Sequence, residues 1–173
     1  MSEDSVETKM LRRTRIALAL SGWRPGRAVT CTAFQGSLVE MGYVVVPAAT
    51  AVLREFCGVG IGFESRRWKQ LLNLWVSANQ FWIGALESDD FFDMIVDQFR
   101  DPLPRLPMDE YRLRIGCDLT PIGGIARQCW YIAVGANQAL YAVGGKHAWL
   151  IGRSTTEALN RLVYNRDPLQ KID

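Results

Sequence analysis

The chain has 173 residues, of which 49% are apolar and 10% aromatic; that is enough for one real core and excludes a disordered composition. Twenty basic residues against 18 acidic ones leave a net charge of +2, too close to balance for a global pull toward nucleic acid or anionic lipid. The expected organisation is a single domain over 1–173.

The four cysteines, Cys31, Cys57, Cys117 and Cys129, include no close-spaced pair, and His147 is the sole histidine. A structural zinc site needs four soft or imidazole ligands, usually in close pairs, so no metal and no cofactor are expected. Free buried thiols are the expectation, because cysteine packs as a small hydrophobe. The start, MSEDSVETK, is acidic and polar, unlike a secretory leader. The apolar window Leu71 to Leu86 carries Asn73, Ser77, Asn79 and Gln80, which would be costly in lipid. A cytoplasmic protein with reduced thiols and no membrane contact is expected.

In chain order, helical spacing of Val6, Met10, Leu11, Ala17 and Leu18 predicts a helix over 4–21, stopped by Gly22. Pro25 and Gly26 make 23–27 a turn. Thr32 and Gln35 have capping-box spacing for a second helix, with Phe34, Leu38 and Met41 on its buried face and Gly42 at its end. Residues 44–46 are extended. Pro47 opens a third helix over 47–57, with Val52, Leu53 and Phe56 inward and Gly58 as its stop. A strand follows at 59–63, and another is read at 68–76, where a helix is the rival. Ser88 or Asp89 can cap a helix over 87–99, and the prolines of 101–107 break regular structure. Residues 109–115 read as a short helix ended by Gly116, and 120–124 as a turn. Strands are read at 129–134, 139–143 and 148–151, joined by turns at 135–138 and 144–145. Ser154 and Glu157 form a second capping box, opening a last helix with Ala158, Leu159, Leu162 and Val163 inward. The pattern is α+β: a central antiparallel sheet of about five or six strands, flanked by N-terminal helices and a closing C-terminal helix.

Chemistry-bearing residues are sparse. Hydroxyl or thiol nucleophiles need a base held by a third group. His147 could serve Cys117 or Cys129, although it falls at a hairpin turn and reads more simply as an exposed strand-edge side chain. The glycines at 58, 60 and 62 are not followed by a convincing helix start, so a phosphate cradle is not indicated. Glu87, Asp89, Asp90, Asp93, Asp97 and Asp101 form an acidic run, and Asp89, Asp93 and Asp97 would line one helix face. That face is either simply solvated or a docking surface for a basic partner. Two basic spots, Lys9–Arg12–Arg13–Arg15 and Arg66–Arg67–Lys69 beside Trp68, do not amount to a nucleic-acid surface. The tryptophans at 75, 82, 130 and 149 fall in apolar runs and read as core.

Six short signatures occur in a fixed order: Gly22 to Arg27 (GWRPGR), Gly42–Tyr43, Pro47 to Ala49, Leu53–Phe56–Gly58, Thr120 to Gly123 (TPIG), and Gly152–Ser154–Ala158–Leu159. In that order and spacing the chain resembles the SUKH superfamily, and within it the SUKH-3 immunity proteins, over about residues 13–165. The resemblance implies an α+β fold and a non-enzymatic protein that binds and neutralises a cognate toxin, such as a nuclease, in a bacterial polymorphic toxin system. It carries Trp23, Arg27, Gly58, Pro121, Gly123 and Gly152 as signature residues with structural roles. Charge clustering makes Glu87, Asp89, Asp90, Asp93 and Asp97 the candidate steering surface for a basic toxin. A scaffold or regulatory binding domain of the same superfamily, and a small enzyme using the acidic run or His147, remain the alternatives. The sequence leaves the oligomeric state open.

Overall fold

The structure is a computed structural model that describes residues 9–61, 81–83, 108–125, 130–164 and 170–172. Three helices come first: α1 Arg12–Leu20, α2 Thr32–Glu40 and α3 Pro47–Phe56. Two short strands follow, β1 Val59–Ile61 and β2 Phe81–Ile83, then helix α4 Met108–Ile115. Strands β3 Leu119–Ile125, β4 Trp130–Gly135, β5 Leu140–Gly144 and β6 His147–Gly152 run into helix α5 Thr155–Tyr164, and β7 Gln170–Ile172 closes the order.

The strands form one antiparallel sheet in sequential order from β1 to β7. Its outermost strands, β1 and β7, are three residues long, and β2–β6 form the five-strand body that the α+β pattern implied. Strand alternation sorts the side chains onto two faces. Ile132, Val134, Leu140, Ala142 and Ile151 join Leu18 of α1, Leu53 and Phe56 of α3, and Leu159 and Leu162 of α5 in the main core. Ala133, Tyr141, Val143 and Ala148 point to the other face, where Tyr111 of α4 covers them. Every residue of β5 is buried, since helices lie over both its faces. Each large aliphatic side chain so buried stabilises the fold by about 1.5–3 kcal/mol.

Local chemistry explains most boundaries. Pro47 starts α3 with Val46 extended before it, and Gly58 at φ +76° turns the chain out of it. At α5, the Glu157 amide donates to Ser154 Oγ at 3.2 Å. The Glu157 carboxylate accepts from the Arg153 amide at 2.9 Å, one residue outside the reciprocal position of a standard capping box. Pro121 sits inside a central strand because a bulge lies there: Pro121 faces Ala133 and Gly123 faces Ile132, leaving Ile122 as the extra residue.

Several expectations are corrected. Residues 9–11, inside the expected helix, are not helical and α1 begins at Arg12, since the Asn160 side chain takes the Leu11 amide and donates to the Lys9 carbonyl; residues 4–8 lie outside the described residues. Leu11 is 46% exposed. Thr32 is the first helical residue and not a cap; Cys31 holds the N-cap position, and Gln35 donates to Thr50 Oγ1 instead. Met41 is exposed, with only Leu38 of that expected stripe fully buried. Residues 120–124 are not a turn but the middle of β3, paired with β4 and, at Gly123 and Gly124, with β2 as well. Trp130 and Trp149 are half-buried rather than core, stacked on each other at 4.1 Å.

The thiol expectation also changes. Cys31 and Cys57 form a disulfide, and Cys117 is a half-buried free thiol. Two contacts explain the approach: Arg27 Nη1 donates to the Glu55 carbonyl at 3.0 Å, and the Val29 amide donates to the Arg54 carbonyl at 2.8 Å. They lay residues 27–31 along the end of α3. Closing a loop over a separation of 26 residues removes unfolded-chain entropy worth about 3.5 kcal/mol. The readings at 68–76, 87–99 and 101–107, and those on Cys129, Trp68 and Trp75, lie outside the described residues.

Candidate functional site

The signature residues sit at places where the backbone needs them. Gly22 and Gly26 hold φ near +83° and +73°, and between them Trp23 stacks nearly parallel on Phe56 at 5.9 Å. The indole Nε1 donates to Glu55 Oε1 at 3.2 Å. Arg27 reaches the carbonyl of the same residue, a cation placed at the carbonyl end of α3. The Gly58 amide donates to the Ile83 carbonyl at 2.8 Å, tying the end of α3 to the sheet. Pro121 and Gly123 flank the β3 bulge. Gly152 is the tightest point: a Cβ there would lie 2.5 Å from the Ala158 backbone nitrogen, so only glycine lets β6 meet α5.

His147 is exposed at the start of β6, tilted against Trp149 at 5.2 Å. Cys117 lies against Gly135, at the far end of the strands from the Gly144–His147 pair. Along β5 that separation is about 13 Å, so these two cannot form a nucleophile–base couple as placed. Among the described residues, no three or more His, Cys, Asp or Glu side chains gather as a metal site. Glu87, Asp89, Asp90, Asp93 and Asp97 lie outside the described residues.

Two tyrosines have perturbed hydroxyls, and both serve packing. Burial, then neighbouring Glu110, raises the Tyr111 pKa above its usual 10.0, with Arg114 opposing. Its hydroxyl donates to the Gly145 carbonyl at 2.6 Å, which pins α4 to the β5–β6 turn. Burial likewise raises Tyr141, opposed by the Asn137 side chain that donates to its oxygen at 2.8 Å. A raised tyrosine pKa favours the neutral folded form. The stability is full below pH 10 and declines as pH rises through the folded values.

Among the described residues, two concavities and one ridge stand out. An open cleft of about 460 Å³ runs between α3 and the β4–β5 turn, floored by Ala48, Ala51 and Val52 with Gln138 and Thr155 at its rim. Its one carboxylate, Glu55, is already engaged by Trp23. A smaller groove lies between Tyr43–Val44 and α4, where Arg112 pairs with Asp118 at 3.3 Å. The ridge is the outer side of α1. Arg12, Arg15, Ile16, Ala19 and Leu20 are exposed, at the spacing of one helix face, while Thr14, Ala17 and Leu18 are buried behind them. Sequence reading found the cations of this ridge but placed no aliphatic side chain outside with them. The legible signal was the absence of any Asp or Glu from residue 9 to 39, a stretch carrying Lys9, Arg12, Arg13, Arg15, Arg24 and Arg27.

The described residues form a small α+β domain with helices over both faces of an antiparallel sheet and structural glycines at its joints. The SUKH-3 immunity protein model matches residues 10–165, most of the chain, and the protein belongs to that family. An immunity role at that level of description follows from the membership. Neither the curated proteins nor the solved structures provide a match. No helix among the described residues is long and apolar enough to cross a membrane.

Proposed function

We propose that this protein neutralises one cognate protein toxin of a bacterial polymorphic toxin system by forming a stoichiometric complex with it in the cytoplasm. It carries out no chemistry of its own. The observation that supports this is the family membership over residues 10–165. Inhibition by occlusion needs a rigid body with a committed surface. A two-sided core gives this domain such rigidity. The acidic run from Glu87 to Asp97 would favour a basic toxin such as a nuclease, whereas the described surface favours the opposite sign. The two are separated experimentally below.

The test is rescue. The toxic product of the adjacent gene is expressed with and without this protein, and surviving cells are counted. Survival with the wild-type protein, and a one-to-one complex on copurification, are the expected results. A toxic neighbour that this protein neither binds nor rescues contradicts the proposal and leaves a general protein-binding scaffold. Loss of rescue in His147→Ala, with an activity found on a small substrate, would favour an enzyme.

A further inference from the structure

We infer that the outer ridge of α1 is the docking surface for the partner, and that the partner presents an acidic, partly apolar protein surface to it. The inference rests on the proposed immunity reading and adds the location and the sign of the contact.

The first observation is a helix charged against its own dipole. Arg12 opens α1 and Arg15 lies within its first turn, with no acidic residue in that turn and no side-chain cap. Cations at the positive end of a helix are locally unfavourable. Folding therefore gives no reason to place them there. The second is the lack of compensation. Among the described residues, neither Arg12 nor Arg15 has a carboxylate partner, and the Arg15 Nε donates only to the Met10 carbonyl. Arg13 on the inner flank is different: its guanidinium lies 5.2 Å over the Tyr164 ring. The third is the apolar content. Leu11, Ile16 and Leu20 are 46%, 45% and 50% exposed; Val39, Val44 and Leu113 are also exposed, but none of them lies on this cationic helix face.

Together these give a cationic end (Lys9, Arg12, Arg15) running into an aliphatic end (Ile16, Leu20). Arginine beside aliphatic side chains fits a protein partner, in which carboxylates take the guanidinium forks and apolar groups cover the aliphatic knobs. Single-stranded nucleic acid would require stacking aromatics, and the exposed residues of the ridge include none. A bilayer surface needs a wide apolar face, but α1 turns Ala17 and Leu18 inward and is only about 13 Å long.

The experiment measures association and dissociation with the toxin identified by rescue, using the full chain as wild type, as Arg12→Glu/Arg15→Glu and as Ile16→Ala/Leu20→Ala. The expected result is association slowed about tenfold or more by the charge reversal. The aliphatic truncation should leave association unchanged and speed dissociation about tenfold. The thermal midpoint of the reversed protein should not fall, since the new acids suit the helix start. Asp89→Lys/Asp93→Lys/Asp97→Lys is measured beside them. If that triple variant loses binding while the α1 variants bind as wild type, the inference is overturned and the immunity reading stands. If wild type neither binds nor rescues, the immunity reading fails and the inference goes with it. An oligo-dT strand and phosphatidylcholine–phosphatidylglycerol vesicles are the remaining probes. Binding to either that depends on Arg12 and Arg15, with toxin affinity unchanged, overturns the protein assignment. Removing residues 1–8, which carry Glu3, Asp4 and Glu7, tests the chain's own acids as the occupant. A loss of stability that disappears in the reversed background would also overturn it.

Discussion

Helices α1 and α5 pack side by side on the same face of the sheet, yet they are built in opposite ways. α5 is self-sufficient: Ser154 caps it, Glu157 sits in its first turn, and Arg161 pairs with Glu157 at 3.0 Å one turn later. Its inward face is an unbroken set of Ala158, Leu159, Leu162 and Val163. α1 has neither cap nor first-turn acid, and it is positioned from outside. Asn160 of α5 holds its approach through Leu11 and Lys9, and Ser21 Oγ at its end donates to the Gly60 carbonyl at 2.7 Å. The difference teaches where selection for folding ends. α5 carries its own cap, ion pair and buried stripe, whereas the outer residues of α1 have no carboxylate partner among the described residues and face solvent in a pattern that suits a partner.

The largest break in this comparison should come from Gly152→Ala. The added methyl meets backbone rather than a flexible side chain, so α5 must shift as a body, at a cost of about 3 kcal/mol in chemical denaturation. Next is Asn160→Ala, which leaves the Leu11 amide and the Lys9 carbonyl without their partner. About 1–3 kcal/mol is expected, with faster hydrogen exchange in α1 than in α5. Ser154→Ala should cost about 1 kcal/mol through the lost cap. The smallest effect has the opposite sign. Arg12→Glu/Arg15→Glu should stabilise α1 by about 0.3–1 kcal/mol at low salt, the gain shrinking as salt is added. A mutation that stabilises the fold and abolishes binding would separate the two roles of this helix; one that destabilises it would show that the arginines are structural.

Much of the fold was legible because local rules and tertiary context agree. Pro47, Gly58 and Gly116 bound their helices where glycine and proline usually do, and the two hairpin turns of β4–β6 follow from residues 135–138 and 144–145. What failed depended on distant partners. Nothing near residue 9 announces Asn160, so the start of α1 was placed too early. No spacing rule brings Cys31 to Cys57, because their meeting depends on residues 27–31 lying along α3. The TPIG stretch carries turn residues, yet Thr120 is fully buried. Its hydroxyl donates to the Val44 carbonyl at 2.7 Å and accepts from the Val46 amide at 2.9 Å, so pairing overrides the turn preference. As for the site, the ridge cations were visible in the sequence but its exposed aliphatics were not. The period of α1 shows two apolar flanks, and only packing decides which one is covered.

The most direct test of the central claim is the association rate of the purified protein with its toxin across a salt series, wild type against Arg12→Glu/Arg15→Glu. An acidic partner surface docking on α1 predicts a rate that falls steeply with salt in the wild type and a slow, nearly salt-independent rate in the variant. Rates and salt slopes that coincide for the two proteins would contradict it.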